Sequence, residues 1–164
     1  MKKCSDHFGL WLGTLLFGSA VLTQAAPPTA KVADQSKRVE RLFRDIRDDA
    51  VQVRSAATRL DALTKSSNAT WLDYDRQWNE IKPSVEDMQM KWAQLETMQA
   101  AISPAERNEL EQSKLMIEQI QGRTHQLRIL LDEPGVQTND AKFQVYARGL
   151  RNEAGQLQRT AAAS

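Results

Sequence analysis

The sequence predicts an all-α protein: an antiparallel up-down four-helix bundle with long first and second helices. Apolar residues recur at spacings of three, four and seven along most of the chain, which is the periodicity of helices with one apolar face. No stretch alternates apolar and polar residues in the way a half-buried strand does. The amphipathic segments are joined by short stretches of turn-forming residues, and short connections place consecutive helices side by side in opposite directions.

The first 25 residues have the layout of a cleavable signal peptide. Lys2 and Lys3 precede an apolar run, and the Thr-Gln-Ala sequence at 23–25 supplies small residues for a cleavage site. The alternative is a membrane anchor, but an apolar run of about 13 residues is shorter than the ~20 that a spanning helix needs. We therefore expect cleavage after Ala25, or otherwise after Ala26, and a periplasmic or secreted protein with no stable membrane span.

Removal of residues 1–25 leaves a chain with balanced charge and no cysteine. The full sequence has 22 Lys and Arg against 21 Asp and Glu, and the removed segment holds Lys2, Lys3 and Asp6, so 20 of each sign remain. A net charge of zero argues against binding to nucleic acid, which favours basic surfaces. Cys4 is the single cysteine and is also removed. The mature fold must therefore rest on an apolar core rather than on disulfides.

Residues 26–31 are expected to form a flexible leader and residues 32–160 a single helical-bundle domain. A heptad repeat rich in β-branched residues predicts a first helix of about 30 residues with a coiled-coil seam, formed by Val32, Val39, Ile46, Val53 and Leu60. Asp49 lies beside this seam. We expect its carboxylate to reach solvent or a neighbouring arginine, because unpaired buried aspartates are rare. A polar turn follows, in which Asn68 or Thr70 can cap the next helix.

The second helix is predicted from Trp71 to Ile102 and is the most one-sided segment of the chain. Its apolar residues are spaced alternately by three and four positions: Trp71, Tyr74, Trp78, Ile81, Val85, Met88, Trp92 and Leu95. Pro83 falls on the opposite side and does not interrupt this stripe, so we expect one helix that bends at the proline. The alternative is a break at Lys82, with Pro83 as the first residue of a new helix.

The third helix has the clearest start in the sequence. Ser103 is suited to be its N-cap, Pro104 occupies the first helical position, and Glu106 completes a capping box. The residues predicted to face the core are Leu110, Ile117, Ile120, Thr124, Leu127 and Leu131.

The fourth helix is expected to be the least stable element. Thr138 or Asn139 can cap it, and its predicted core residues are Phe143, Tyr146, Leu150, Ala154 and Leu157. Gly149 and Gly155 each weaken a helix by ~1 kcal/mol relative to alanine. The first two helices are expected to be longer than the last two, so that their ends project beyond the four-helix part.

The sequence offers no residues suited to catalysis or to a cofactor. His125 is the one histidine of the predicted mature chain, and it follows the core position Thr124 by one residue, so we expect it on the surface. A di-iron bundle would need Glu-x-x-His pairs, and Gly122 stands where the glutamate would be. Nucleophile elbows, glycine-rich phosphate loops and haem-attachment motifs are absent from the sequence. We therefore predict a non-enzymatic protein without metal or cofactor.

The candidate binding surface is the aromatic stripe of the second helix. Trp71, Tyr74, Trp78, Met88 and Trp92 could floor an apolar groove for a peptide, a lipid or a partner helix. The alternative is that these side chains belong to the core, which is their usual position in a folded domain. In that case small residues should face the tryptophans, and the candidates on the first helix are Ala50, Ala56 and Ala57.

Two resemblances support an exported helical protein. The Ile-Ser-Pro-Ala-Glu-Arg segment at 102–107 resembles the L-T-x-x-Q-type motif of the Spy/CpxP family of periplasmic stress chaperones, from which it differs at Ala105 and Glu106. That resemblance implies a small, exported, all-helical and commonly dimeric protein. The run from Tyr74 to about Leu157 resembles uncharacterised bacterial exported four-helix proteins, and this likeness implies the architecture alone.

The function predicted from the sequence is that of an exported, non-enzymatic helical-bundle protein that acts through contacts with an unknown protein partner in the cell envelope. A homodimer is compatible with this prediction. The alternative is a periplasmic chaperone or carrier that exposes an apolar groove along the Trp-rich second helix. The two differ in exposed apolar surface, because a closed bundle hides its stripe whereas a chaperone presents it to clients.

Overall fold

A computed structural model describes residues 28–133 and 141–160, and all regular structure within these ranges is helical. The elements are α1 (Pro28–Leu63), α2 (Trp71–Thr97), a short 3-10 turn (Gln99–Ala101), α3 (Pro104–Asp132) and α4 (Ala141–Thr160). The predicted all-helical class with four helices is therefore confirmed for the described residues. The predicted signal peptide and the predicted caps of the fourth helix lie outside them.

The four helices pack in a ring, in which each helix contacts two neighbours. α1 packs against α2 and α4, and α3 packs against the same two helices. One hydrophobic core runs between them. Because each buried Val, Leu or Ile side chain contributes about 1.5–3 kcal/mol, this shared core is what holds the bundle together in a chain whose described residues include no cysteine.

The heptad seam of α1 is buried along most of its length, as the sequence predicts. Val39, Ile46, Val53 and Leu60 are at most 1% exposed, whereas Val32 is 60% exposed. The helix begins at Pro28, four residues before the predicted start at Val32. The first turns of α1 therefore continue past the core, and the seam loses its cover between Val32 and Val39.

The second helix continues through its proline. α2 is helical from Trp71 to Thr97 with Pro83 inside it, so the alternative of a break at Lys82 is wrong. Pro83 and Asn79, whose carbonyl loses its helical partner at the proline, are both exposed. Water can bond that carbonyl, which lowers the cost of the missing N–H. Ile81 and Val85 remain buried on the opposite face, so the apolar register passes the proline unbroken.

The predicted length of the second helix is wrong. α2 has 27 residues and α3 has 29, so the second helix is shorter than the third. α2 ends at Thr97 because the N–H of Met98 bonds the carbonyl of Leu95 and tightens the last turn, after which the 3-10 turn follows. The chain then redirects Ile102 into the core, where it is 6% exposed. The first helix is long, as predicted, with 36 residues.

Two capping boxes fix the starts of the middle helices. Thr70 caps α2, and its backbone N–H donates to the carboxylate of Asp73 at 2.9 Å. Ser103 caps α3: its hydroxyl accepts from the N–H of Glu106 at 3.3 Å, and its own N–H donates to the Glu106 carboxylate at 2.7 Å. Both boxes satisfy N–H groups that a helix start leaves unbonded, so the boundaries predicted from the sequence at Thr70 and Ser103 are confirmed.

Candidate functional site

Within residues 28–133 and 141–160, four helices pack together along one part of the bundle and three along the other. The end of α4 at Thr160 borders a small cleft with Gln112, Leu115 and Met116 of α3. α3 begins at Pro104, so its first eight residues, about 12 Å of helix at 1.5 Å per residue, lie beyond the end of α4. α1 also continues well past the level of Thr160. We call this region, in which α1, α2 and α3 pack without α4, the three-helix half.

An open cleft lies between α1 and the start of α3 in the three-helix half. Its volume is about 600 Å³, and its walls are Glu40, Phe43, Arg44, Arg47, Ser103, Ala105 and Glu106. Phe43 forms its apolar floor and is only 4% exposed. Glu106 is engaged in capping Ser103. The Nε of Arg47 is buried and has no hydrogen-bond partner within residues 28–133 and 141–160, so its N–H can still donate a hydrogen bond to an incoming oxygen atom.

A buried ion pair between α1 and α2 corrects one prediction. The carboxylate of Asp49 is bonded by Lys91 of α2 at 2.5 Å, and Asp49 is 8% exposed. The expectation that it would reach solvent or a neighbouring arginine is therefore wrong. Burial raises the pKa of Asp49, and the hydrogen bond from Lys91 opposes that rise. The cause is tertiary, because α2 lays Lys91 across this position and no pattern within α1 shows it.

Buried polar atoms without a hydrogen-bond partner among the described residues also occur on α2 and α3. The indole Nε1 of Trp92 and the hydroxyl of Ser113 are buried with no hydrogen-bond partner in the described part of the chain. Trp92 follows Lys91, and Lys114, next to Ser113, lies 5.0 Å from the Trp92 ring centre. Buried donors without partners are uncommon in folded proteins.

The residues of the predicted aromatic surface separate into two groups. Tyr74 and Met88 are 1% and 0% exposed, and the Tyr74 ring packs edge-on against Phe143 at 4.9 Å, so both belong to the core. Trp78 and Trp92 are partly buried against that core. Trp71 is 49% exposed. The candidate surface along the second helix stays a prediction for the three tryptophans, of which Trp71 presents most to solvent.

Trp71 and Trp78 of α2 are hydrogen-bonded to backbone carbonyls of α3. The indole N–H of Trp71 donates to the carbonyl of Leu131 at 3.0 Å, and that of Trp78 donates to the carbonyl of Thr124 at 3.3 Å. The guanidinium of Arg128 covers the Trp78 ring at 4.8 Å. These bonds and the cation–π contact are made with α3 and not with the first-helix alanines that are expected from the sequence to face the tryptophans. A cation–π contact of this kind also covers one face of the ring.

A second buried carboxylate, Asp61 near the end of α1, is not foreseen by the sequence. It is 3% exposed and is bonded by Lys65 at 3.0 Å, Arg148 at 3.0 Å and Arg151 at 3.4 Å. Burial acts to raise the pKa of Asp61, but the bonds from Lys65 and Arg148 outweigh it, so the pKa is lowered. The i,i+4 spacing of Asp61 and Lys65 was the one available signal. The two arginines come from α4 and carry no such signal in the sequence.

His125 is exposed, and the described ranges 28–133 and 141–160 contain no group of three or more potential metal ligands. None of the described helices is both long and apolar enough to cross a bilayer. Comparison with protein-family models, with curated proteins and with solved structures finds no match. The fold and the cleft thus define the described part of the chain only as a helical bundle with a cleft between α1 and α3.

Proposed function

We propose that this chain is an exported helical-bundle protein, not an enzyme, that receives a helix of a partner protein in the cleft of its three-helix half. The observation that carries the proposal is the extension of α1 and α3 beyond the end of α4, which leaves the 600 Å³ cleft where a fourth helix would otherwise pack. Export rests on the signal-peptide layout of residues 1–25, and the envelope or the exterior is then the place where the partner is met.

We further propose that the helices alternate in direction in an antiparallel up-down arrangement. Cross-helix contacts support it, because residue numbers rise on one helix as they fall on its neighbour. Between α1 and α2, Asp49 pairs with Lys91, and farther along α1 the side chain of Arg59 bonds Gln77. Between α2 and α3, the Trp71–Leu131 and Trp78–Thr124 bonds follow the same order.

A helix fits the cleft better than an extended peptide does. The cleft is walled by two helices rather than by a sheet edge, and amphipathic helices bind such grooves through side chains spaced by three and four residues. Arg44, Arg47 and Glu40 line one wall, where the two arginines outnumber the one carboxylate, while Glu106 is occupied by the cap of α3. Charge-assisted bonds from arginine to a carboxylate are strong. The expected partner helix therefore carries an acidic residue beside its apolar face.

Photo-crosslinking tests this proposal in cells that export the protein. A photoreactive amino acid at Ala105, in the cleft, should give an adduct with one other protein, and Arg47→Gln should reduce its yield. The matched control is the same amino acid at Gln126, which is exposed on α3 and does not line the cleft. Equal adducts at both positions would contradict the proposal. An adduct with the mass of two copies of this chain would indicate a homodimer instead of a partner helix.

The alternative function, a periplasmic chaperone or carrier, has one observation in its favour. Trp71 and Leu72 are 49% and 61% exposed at the start of α2, and adjacent exposed apolar side chains can hold an apolar client. A hydrophobic dye separates the two functions. The alternative predicts strong fluorescence with the folded protein that Trp71→Ser and Leu72→Ser abolish together. The partner-helix proposal predicts weak fluorescence that these substitutions leave nearly unchanged.

Export has its own test. Sequencing of the N-terminus of the protein recovered from the envelope or the medium should give a chain that starts at Ala26. Ala25→Leu should block cleavage after position 25, because signal peptidase requires a small residue before the cut. An intact N-terminus with Met1 would contradict the proposed export. It would not contradict the proposal that the cleft receives a partner helix.

A further inference from the structure

A pocket on another face of the bundle, between α1 and α4, has three arginines among its six lining residues. Its volume is about 220 Å³, and it is lined by Arg54, Arg151, Asn152, Gly155, Gln156 and Arg159. This volume is large enough for one small polar group. It shares no lining residue with the cleft of the three-helix half.

Gly155 opens this pocket. It is buried within α4, and its backbone is helical, so the chain conformation itself does not require glycine there. A Cβ atom at this position would lie 3.5 Å from Nε of Arg54 and 3.8 Å from Nη1 of Arg159. The guanidinium groups of two helices thus approach one point from two sides, and the missing side chain leaves that point free. A glycine inside a helix is unfavourable relative to alanine. Its presence at position 155 therefore points to a need for the space that a side chain would fill.

The positive charge at the pocket is not balanced by carboxylates. The described residues of α4 include four basic side chains and one acidic side chain, Glu153, which is bonded by Arg123 of α3. Asp61 is shared among Lys65, Arg148 and Arg151. Arg54 donates to the neutral amide oxygen of Gln158 at 2.9 Å. Within residues 28–133 and 141–160, neither Arg54 nor Arg159 forms an ion pair with a carboxylate.

We propose that this pocket binds a phosphate group between Arg54 and Arg159. Arginine presents a planar fork of donors that matches phosphate oxygens, and two forks that meet at one point can bind two edges of the same group. The amides of Asn152 and Gln156 line the pocket and supply further donors. The group comes either from free inorganic phosphate or from the headgroup of an anionic lipid, since both offer the same oxygens to the arginines.

The test uses the mature protein and two double variants with the same change in net charge. Arg54→Gln/Arg159→Gln removes the two forks, and Arg76→Gln/Arg107→Gln is the control, because both of its residues are exposed and lie outside the pocket. Inorganic phosphate is titrated by calorimetry at constant ionic strength. Cosedimentation is measured with vesicles of phosphatidylglycerol and phosphatidylcholine, and with vesicles of phosphatidylcholine alone.

Phosphate binding that weakens by at least about tenfold in the pocket variant and is retained by the control supports the proposal with free phosphate as the source. The same pattern seen only with phosphatidylglycerol vesicles supports it with the lipid headgroup as the source. A wild type that binds neither probe overturns the proposal, and so does a control that loses binding as much as the pocket variant does.

Gly155→Ala keeps the proposal testable if the double variant folds poorly. Alanine fits at ordinary contact distance and favours the helix, so the melting temperature should rise. Its methyl group occupies the point between the guanidinium groups, so the affinity for the same probe should fall. Unchanged affinity with a raised melting temperature would overturn the proposal.

Discussion

Two buried carboxylates of α1 form hydrogen bonds with basic side chains of neighbouring helices. Asp61 of α1 is bonded by Arg148 and Arg151 of α4, and Asp49 of α1 by Lys91 of α2. Removing one partner of a buried ion pair is costly, because the remaining charge is left without compensation. These two carboxylates therefore link α1 to both of its neighbours.

The two carboxylates also have opposite effects on the pH dependence of stability. The pKa of Asp61 is lowered below 3.8, so its stabilisation is complete above that pH and is lost as the pH falls through the folded-state pKa. Asp61→Asn should lower the free energy of unfolding at pH 7 by about 1.5–3 kcal/mol. It should also reduce the loss of stability between pH 4 and pH 2.

Urea unfolding at a series of pH values measures this effect, with Asp132→Asn as the control because Asp132 pairs with Arg128 on the exposed surface of α3. The pKa of Asp49 is raised, so this residue adds no stability that acid could remove. A wild type and an Asp61 variant with parallel pH profiles would contradict the role given to Asp61.

The tryptophans should differ in energetic importance according to their cover. Trp92 packs against the core, so Trp92→Ala should lower the free energy of unfolding by about 3 kcal/mol. Trp71 is half exposed and contributes mainly its bond to the Leu131 carbonyl, so Trp71→Ala should lower it by about 1 kcal/mol. Thermal melting of both variants measures the difference. Equal losses would mean that Trp71 is covered in solution.

At the residue scale, the sequence predicts which face of a helix is buried but not which partner meets it. The predicted α3 core residues, from Leu110 to Leu131, are all buried. Periodicity identifies them because burial repeats with the helical turn. The Asp49–Lys91 contact joins residues 42 positions apart. It depends on how α1 and α2 are set against each other, and no local pattern carries that information.

At the scale of the helices, starts are encoded locally and ends are not. Ser103 and Glu106 define the start of α3 by bonds between near neighbours, and the sequence is sufficient to predict it. The end of α2 depends on Ile102 turning into the core. Tertiary packing determines where the chain leaves the helix. The sequence alone therefore predicts an α2 that is too long.

Two glycines show why a helix position cannot be judged by propensity alone. A Cβ at Gly122 of α3 would meet nothing within 4 Å, whereas one at Gly149 of α4 would lie 2.4 Å from the guanidinium of Arg123. Gly149 thus gives Arg123 the room to reach Glu153. Glycine at this position is not merely the weakness that the sequence indicates, because it permits a cross-helix ion pair.

Gly122→Ala should raise the free energy of unfolding by ~1 kcal/mol, the ordinary gain in helix propensity. Gly149→Ala should give a free energy of unfolding at least about 1 kcal/mol lower than Gly122→Ala does. The reason is that Arg123 must move, which leaves Glu153, whose side chain is 11% exposed, without its partner. Denaturant unfolding of the two variants gives the comparison. An equal gain at both positions would show that the Arg123–Glu153 pair does not depend on Gly149.

For the whole molecule, the decisive feature is unequal helix length around one core. α1 has 36 residues and α4 has 20, so four helices cannot cover one another along their full extent. The arrangement leaves the cleft beside Arg47, whose Nε has no hydrogen-bond partner among the described residues. The sequence predicts projecting ends but assigns them to the first two helices. In the structure α1 and the end of α2 extend past Thr160, and the start of α3 extends with them.

Hydrogen exchange of the isolated mature protein tests the central claim, that the three-helix half is open, most directly. Amides of α3 from Arg107 to Leu110 and of α1 from Phe43 to Arg47 should exchange through openings of lower free energy than amides from Ile117 to Leu127, because fewer helices pack against them. Uniform protection along α3 would contradict the account, since it would mean that another segment or a second copy already covers the cleft.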